Sequence, residues 1–190
     1  MKHIAIFASG SGSNAENIIK FFKGDSSAEV RLVLSNKTNA YVLNRAKKLS
    51  VKTCVFNMEE FTNPKGVLKV LSKHNIDLIV LAGFLWRFPS ILLDEYTGKV
   101  INIHPALLPK YGGKGMYGAF VHNAVITNKE KESGITIHYV NQNYDEGDII
   151  FQAKCEVSHE DNVTDLANKI HFLEMEYFPT VIKTILLKDE

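Results

Sequence analysis

The first half of the chain alternates short apolar runs with segments whose apolar residues recur at helical spacing. This alternation is typical of strands joined by helices in a parallel sheet. The run Ile76–Ala82 is almost continuously apolar, as expected for a strand covered on both faces. The other predicted strands are His3–Ala8, Val30–Leu34, Thr53–Phe56 and Lys99–His104, and the predicted helices are Asn14–Phe22, Ala40–Leu49 and one through Val67, Val70 and Leu71.

The pattern changes in the second half. A helix is predicted around Tyr117–Thr127, and two β runs, Gly134–Val140 and Asp148–Val157, then follow with one long loop between them, which favours an antiparallel pair. A last helix is predicted over Asn162–Leu187, where Pro179 should kink or break it. We therefore predict an α/β fold in one domain, 1–190, with a mostly parallel central sheet flanked by helices and an antiparallel addition near the C-terminus.

Composition excludes several classes of protein. The 190 residues carry a formal net charge of +1, which does not favour a nucleic-acid partner. No apolar run approaches the length of a membrane span or a signal segment, and Cys54 and Cys155 lack metal spacing and are interpreted as reduced thiols. We expect a cytoplasmic protein with no metal site and no membrane partner.

The strongest candidate for chemistry lies at the end of the fifth predicted strand. Alternation places Asn102 and His104 on the same face, and Pro105 then ends the strand because it lacks a backbone donor. Ligands of open α/β sheets bind at this edge. An amide donor beside a histidine suits a reaction in which negative charge develops on a carbonyl oxygen. A satisfied turn is the alternative interpretation of this pair taken alone.

The turn after the first predicted strand, Ser9–Asn14, is rich in glycine and serine. The first N–H groups of the following helix, with the side chains of Ser13 and Asn14, are suited to binding an anion. The spacing matches neither a dinucleotide fingerprint nor a Walker loop, so a monophosphate fits better than a dinucleotide. A βα turn without a ligand is the alternative.

Three further features carry weaker signals. The segment Ala82–Pro89 holds two phenylalanines, the only tryptophan and Arg87, and either lines a pocket for a flat ring or belongs to the core. Asp145 lies in a loop of ordinary turn composition, so its role depends on that loop folding over His104. His138 is either near the same site or a satisfied core histidine.

Read together, four segments resemble the phosphoribosylglycinamide formyltransferase family. They are Gly10–Asn14, Leu81–Phe84, Asn102–Tyr111 and Tyr144–Asp148, and the resemblance runs in order from about residue 2 to about residue 185. The segment Asn-x-His-Pro-x-Leu-Leu-Pro is quite specific to the formyl-transfer superfamily. The resemblance implies a Rossmann-like formyltransferase fold and transfer of a formyl group from 10-formyltetrahydrofolate to glycinamide ribonucleotide in de novo purine biosynthesis.

The resemblance also implies roles for individual residues. It assigns the phosphate-binding half to about 1–100 and the catalytic and folate-binding half to about 100–190. Catalysis would fall to Asn102, His104 and Asp145, and substrate binding to Gly12, Ser13, Asn14, His171 and Glu174. The pterin of the folate would be framed by Leu85, Trp86, Arg87, Phe88, Asn102, Asn141, Gln142, Asn143, Tyr144 and Asp145.

The reaction needs a stabilised oxyanion and a proton transfer, and it needs no metal. The Asn102 amide and a protonated His104 would donate to the oxyanion, and Asp145 would raise the pKa of His104 and help relay the proton. The chain departs from the more familiar family pattern in the loop Gly112–Tyr117 and at Trp86, where arginine is common. These departures concern the loop and the contacts of the folate tail.

Alternative functions stay open at this point. Formyltetrahydrofolate hydrolase shares the trio but gives the formyl group to water, and relatives that formylate methionyl-tRNA or amino sugars share it too. The first strand begins at residue 3 and the chain ends just after the last helix, so we expect neither the additional N-terminal domain of the hydrolases nor the C-terminal domain of the tRNA enzymes. A folate- or nucleotide-binding module without catalysis would not require the trio. We expect a monomer or a homodimer.

Overall fold

The computed structural model describes residues 1–188 and contains one seven-stranded sheet in the order β3-β2-β1-β4-β5-β6-β7. Strands β1 to β5 pair in parallel, and β6 and β7 pair antiparallel at one edge. The fold class predicted from the sequence is confirmed. The strands are β1 Lys2–Phe7, β2 Ala28–Ser35, β3 Lys52–Val55, β4 Leu78–Leu81, β5 Val100–His104, β6 Glu132–Tyr139 and β7 Ile149–Glu156.

Helices cover both faces of the sheet. They are α1 Ser13–Phe21, α2 Tyr41–Lys48, α3 Met58–Thr62, α4 Lys69–Lys73, α5 Ser90–Glu95, α6 Ala119–Thr127 and α7 Val163–Lys188. One face packs against α1, α2, α6 and α7, and the other against α3, α4 and α5. This double cover accounts for the apolar continuity of the central strands, because both faces of each are removed from water. No helix within 1–188 is both long and apolar enough to cross a membrane.

The region between β3 and β4 differs from the single helix predicted there. A π-helical segment, Pro64–Leu68, separates α3 from α4, and Gly66 within it has non-helical backbone angles (φ −92°, ψ −119°). A Cβ at Gly66 would lie 2.0 Å from the Glu60 carbonyl oxygen, so only glycine fits this bend. Helix α5 is absent from the sequence-based prediction, because six residues are too few to show helical periodicity.

Pro179 does not break the last helix, because α7 runs continuously through it. Proline lacks the N–H that would bond to the carbonyl four residues earlier, which here belongs to Met175. The side-chain amide of Asn17 in α1 donates to that carbonyl at 2.7 Å. A partner from another helix therefore satisfies the group that Pro179 leaves free, and the same bond fixes α1 against α7.

The strand order places one edge of the sheet in position to bind ligands. The chain runs outward through β1, β2 and β3, then returns to the other side of β1 for β4 and β5. The loops after β1 and β4 therefore leave the sheet in opposite directions at a topological switch point, where ligands of open sheets bind. At their starts the two loops are joined by a hydrogen bond, in which the N–H of Ser9 donates to the Gly83 carbonyl at 3.0 Å.

We expect Asn17→Ala to lower the free energy of unfolding by about 1 kcal/mol, near the low end of the cost of leaving a carbonyl without a partner, because the Met175 carbonyl is only partly buried. In a Pro179→Ala background the cost should be smaller, because the alanine would supply its own backbone N–H to the Met175 carbonyl. Urea denaturation of the four proteins in this double-mutant cycle measures the coupling. Asn123→Ala is the control, because that exposed amide also bonds to a helix carbonyl, Ala119, at 2.8 Å.

Equal costs of Asn17→Ala in the two backgrounds would contradict this account of the proline.

Candidate active site

A cavity of about 700 Å³ lies at the carboxyl ends of the parallel strands. Its walls come from the loops after β1, β4 and β5, from α6 and from α7. The last part of the loop after β5, Gly112–Tyr117, is called the glycine-rich loop below. The predicted catalytic and substrate-binding residues all line this one cavity: Gly12, Ser13, Asn14, Asn102, His104, Asp145, His171 and Glu174. The structure therefore brings together distant groups such as Asn14 and Glu174, which are 160 residues apart along the chain.

Asp145 is the centre of the polar cluster. Its Oδ2 lies 3.5 Å from Nδ1 of His104, and its Oδ1 lies 3.6 Å from Nε2 of His138. The Gly113 N–H donates to Oδ2 at 3.0 Å. The loop that carries Asp145 thus folds over the end of β5, as the catalytic interpretation requires.

Local backbone geometry holds this loop in place. Asp145 itself adopts a left-handed conformation with φ 56°, which aspartate tolerates better than most residues. Gly147 packs so closely on β6 that a Cβ would lie 1.7 Å from the Tyr139 carbonyl oxygen. The glycine in the Asp-Glu-Gly sequence is therefore needed to bring Asp145 back over the strand.

His138 belongs to the site, although the sequence left its position open. It pairs with Asn102 across β5 and β6, and its Nε2 lies 3.1 Å from Nδ2 of Asn102. Its Nδ1 lies 2.8 Å from the Tyr139 carbonyl, which only accepts, so Nδ1 carries the proton in the neutral ring. Nε2 then accepts a hydrogen bond from Asn102, which fixes the direction of the amide.

The second hydrogen of the Asn102 amide faces Asp145 at the longer distance of 3.5 Å. Hydrogen bonds of this length are weak, so the hydrogen can be exchanged for a better acceptor. The bond to His138 keeps the amide in place during such an exchange. Asn102 is therefore arranged to donate to an oxygen that gains negative charge in the cavity.

Asp145 acts to raise the pKa of His104, as expected, but burial outweighs it and the ring is neutral near pH 7, which corrects the expectation of a protonated His104. The ring is only 3% exposed, and burial lowers its pKa below the ordinary value. The Asp145 carboxylate and the bond from Nε2 to the Tyr111 carbonyl, 2.7 Å long, offset part of that effect. Because the carbonyl only accepts, Nε2 carries the proton and Nδ1 faces Asp145 with a free lone pair.

Asp145 stays ionised beside the neutral ring. Burial raises its pKa, but the attraction of the His138 and His104 rings in their protonated forms and the hydrogen bond from the Gly113 N–H outweigh burial, so its pKa lies below the ordinary value. The pair is therefore a carboxylate next to an imidazole that can accept a proton. Within residues 1–188, no three His, Cys, Asp or Glu side chains come together as a metal site would need.

Buried polar side chains of β6 and β7 support the segment that follows His104. The Thr136 hydroxyl donates to the Ala106 carbonyl at 2.7 Å and accepts from the Leu108 N–H at 3.0 Å. Gln152 donates to the Leu108 carbonyl at 3.0 Å. The antiparallel strands β6 and β7 thus hold the loop after Pro105 in position next to the end of β5.

The turn predicted to bind a phosphate is a helix N-terminus at the cavity wall. Helix α1 begins at Ser13, preceded by Gly12 in a left-handed conformation with φ 78°. A Cβ at Gly12 would lie 2.4 Å from the Val42 side chain, so glycine lets α2 approach the turn. Nε of Arg45 donates to the Ser11 carbonyl at 3.0 Å and steadies the turn from outside.

Asn14 faces away from the turn toward α7. Its Nδ2 donates to Oε2 of Glu174 at 2.9 Å, and Nδ1 of His171 lies 3.5 Å from the same oxygen. The contact between His171 and the Glu174 carboxylate raises the pKa of His171. Asn14 therefore contributes to the Glu174 end of the cavity, and the N–H groups of the turn and the Ser13 hydroxyl are the groups available to an anion.

The residues predicted to frame a flat ring divide between two places. Leu85 lines the large cavity, and a smaller adjoining cavity, which shares Asn102 and Asp145 with it, is lined in part by Trp86, Arg87, Phe88, Asn141, Asn143 and Tyr144. The side chain of Gln142 is exposed, and its carbonyl accepts from Nε of Arg87 at 2.7 Å. Arg87 therefore links the two loops that form this cavity.

The aromatic residues of that segment have double roles. Phe88 is only 4% exposed, and its ring centroid lies 5.4 Å from that of Phe7, so it packs in the core while reaching the cavity. Trp86 is half-buried against Phe56 and Phe61, with centroids 6.0 Å apart in each case. The core interpretation and the cavity interpretation of this segment both apply.

Sequence reasoning missed two contributors, Tyr111 and Gly113. They act through the backbone, one accepting from His104 and the other donating to Asp145, and such roles leave no trace in side-chain chemistry. The signals present in the sequence were the glycines at 112 and 113. A Cβ at Gly112 would lie 2.6 Å from the Leu108 side chain, so a larger residue there would displace that side chain.

We expect His104 to titrate below its ordinary value of 6.5, because burial outweighs the attraction of Asp145. In Asp145→Asn the pKa should fall further, since the carboxylate favours the imidazolium. NMR titration of the His104 ring resonances, assigned by comparison with His104→Gln, measures both values. A pKa at or above 6.5, or a rise in Asp145→Asn, would show that the carboxylate does not act on this ring as described.

Comparison with known proteins agrees with the fold. The formyl transferase family model matches residues 2–182. The chain is 36% identical to a Bacillus subtilis phosphoribosylglycinamide formyltransferase, with 98% of this chain and 95% of the relative covered. A Haemophilus influenzae relative of the same name is also 36% identical, with 96% and 86% covered.

Two solved structures have the same fold. A phosphoribosylglycinamide formyltransferase from Anaplasma phagocytophilum superposes with a TM-score of 0.89 at 33% identity, covering 98% of this chain and 87% of the other. One from Bacillus halodurans gives 0.88 at 35% identity, covering 100% and 97%. The match over residues 2–182 and the near-complete coverage show that this chain belongs to the formyl transferase family.

Proposed function

We propose that the chain transfers the formyl group of 10-formyltetrahydrofolate to the amine of glycinamide ribonucleotide in de novo purine biosynthesis. The observation that carries this proposal is the single cavity that joins the anion-binding turn at Gly12 to the Asn102, His104 and Asp145 cluster. A substrate with a phosphate at one end and an amine at the other would span these two positions. The relatives bear the name of this reaction.

The two ends of the cavity differ in chemistry, as such a substrate requires. The helix N-terminus at Ser13 offers N–H groups to a phosphate. Glu174 accepts from Asn14 and is the only carboxylate besides Asp145 among the lining residues, so it is suited to accept hydrogen bonds from ribose hydroxyls. His171 lies beside it. The amine would then reach the end of β5.

The catalytic steps follow from the protonation states described above. The amine attacks the formyl carbon, and the carbonyl oxygen becomes an oxyanion that accepts from the Asn102 amide in place of Asp145. The proton lost by the attacking amine passes to Nδ1 of the neutral His104, directly or through water. The new imidazolium lies 3.5 Å from the Asp145 carboxylate, which stabilises it. The same proton can then pass to the leaving nitrogen.

The residue types that line the smaller cavity are suited to binding a pterin ring. Trp86 and Phe88 offer apolar surface, and the backbone and side chains of Asn141–Tyr144 offer donors and acceptors for the ring edge. Asn102 and Asp145 lie at the boundary between the two cavities, so a formyl group attached to the ring system would lie beside both. The bound folate supplies the formyl carbon, and the protein supplies orientation and charge stabilisation.

Hydrolysis of formyltetrahydrofolate is the competing reaction of the same trio. Water as acceptor would need no phosphate site, whereas this cavity extends from His104 to the helix N-terminus at Ser13 and to Glu174. This extension favours transfer to a phosphorylated amine over hydrolysis. We also propose a cytoplasmic location and a monomer or homodimer, and the unpaired thiols Cys54 and Cys155 support a reducing compartment.

The decisive assay follows formate and formyl-glycinamide ribonucleotide together. We expect product only when glycinamide ribonucleotide is present and no formate in its absence. His104→Ala should lower kcat by roughly 10²-fold or more, the size of a lost catalytic donor or base. His159→Ala, which removes an exposed histidine, is the matched control and should keep wild-type kcat.

Formate release without the amine would instead identify a hydrolase, and binding of both compounds without any product would identify a binding module.

Contacts of the folate tail can be tested at Trp86 and Arg87. An exposed arginine that meets the glutamyl carboxylates contributes about 0.2–1 kcal/mol and is screened by salt. Arg87→Ala should therefore raise the KM for 10-formyltetrahydrofolate a few-fold at low salt and leave kcat unchanged. Trp86→Ala should raise this KM at every salt concentration, because lost apolar contact is not screened.

Measuring both KM values across a salt series separates the two roles. A salt-independent effect of Arg87→Ala would assign this side chain to holding the Gln142 loop rather than to a carboxylate.

A further inference from the structure

His122 is a buried histidine that none of the steps above uses. It lies on α6, is only 7% exposed and lines the large cavity. Its Nδ1 is buried and has no hydrogen-bond partner among the residues that the structure describes. Its neighbours along the helix, Val121 and Val125, are buried in the core.

An imidazole in this position is costly to the fold. A buried polar atom without a partner destabilises the folded state by about 1–3 kcal/mol. Burial also lowers the pKa of His122, so the ring is neutral near pH 7. An apolar side chain would avoid the cost of the buried Nδ1 on a helix whose other buried positions are valines. The other nitrogen, Nε2, is not among the buried atoms and has no hydrogen-bond partner among residues 1–188, so the retained polarity indicates a partner for Nε2 that is not part of the protein.

The position of His122 narrows the identity of that partner. His122, Glu174 and His104 line the same cavity, and the Glu174 carboxylate acts to raise the pKa of His122 while His104 acts to lower it. His122 therefore lies in the stretch of cavity wall between the Glu174 end and the catalytic end. In the binding mode proposed above, that stretch faces the part of the substrate between the ribose and the reactive amine. This part is an amide, with one N–H donor and one carbonyl acceptor.

We propose that His122 is a positioning residue that hydrogen-bonds to the amide of the glycinamide arm and directs its terminal amine toward Asn102 and His104. The inference rests on the proposed function, because it takes its ligand from that function. The contact of His122 with the amide would lie between the contacts proposed at the phosphate and the contacts proposed at the terminal amine. The partner of the neutral ring is the neutral amide, so this contact contributes orientation without charge.

His122→Leu tests the proposal, because leucine fills similar space without a polar atom. We expect the dissociation constant of glycinamide ribonucleotide, measured by calorimetry, to rise roughly ten-fold, the loss of one net hydrogen bond. The dissociation constant of 10-formyltetrahydrofolate should stay unchanged. The melting temperature should stay equal or rise, because the unpartnered nitrogen is removed. His122→Gln, which keeps a polar atom near the position of Nε2, should restore part of the affinity.

Ser133→Ala is the matched control. Its hydroxyl is also buried and without a partner among residues 1–188, but it lies on β6 and not among the residues that line the cavity. It should leave both dissociation constants unchanged. A His122→Leu protein that binds glycinamide ribonucleotide as tightly as the wild type would overturn the inference. Failure of the wild-type protein itself to bind this compound would instead overturn the proposed function.

Discussion

The Asp145 carboxylate is the interaction on which the site depends. It accepts from the Gly113 N–H and faces His104 and His138, so one side chain joins the loop after β6, the glycine-rich loop and the ends of β5 and β6. The Gly113 hydrogen bond compensates for part of the cost of burying the charge, and either ring compensates for more of it once it gains a proton. The carboxylate in turn holds the two rings on either side of Asn102. Removing the carboxylate would leave Gly113, His104 and His138 without their common partner.

Burial gives these groups their protonation states. The same low exposure that lowers the pKa of His104 strengthens its interaction with Asp145 once it gains a proton. A ring that is neutral at rest and stabilised when charged is suited to move a proton during the reaction. His138 completes the arrangement by fixing the Asn102 amide, with its own tautomer set by the Tyr139 carbonyl. Each of these effects needs the protein to exclude water from the end of β5.

The other end of the cavity depends on polar contacts between α1 and α7. Asn14 donates to Glu174, and Asn17 donates to the Met175 carbonyl that Pro179 leaves free. The helix that carries the anion-binding turn is thus fixed to the helix that carries Glu174 and His171. These contacts fix the distance between the turn at Ser13 and the Glu174 carboxylate, because neither helix can shift without breaking a hydrogen bond.

The sequence by itself determined the succession of elements and the places where polar groups follow them. Apolar runs specified the parallel strands, Pro105 ended β5 beside Asn102 and His104, and Gly147 marked the loop that carries Asp145. Only the tertiary structure decided the continuity of α7, the place of His138 and the neutral state of His104. Those outcomes depend on partners distant in the chain and on burial. Periodicity reports which face of an element is apolar, and it carries no information about which distant carbonyl, carboxylate or amide that element will meet.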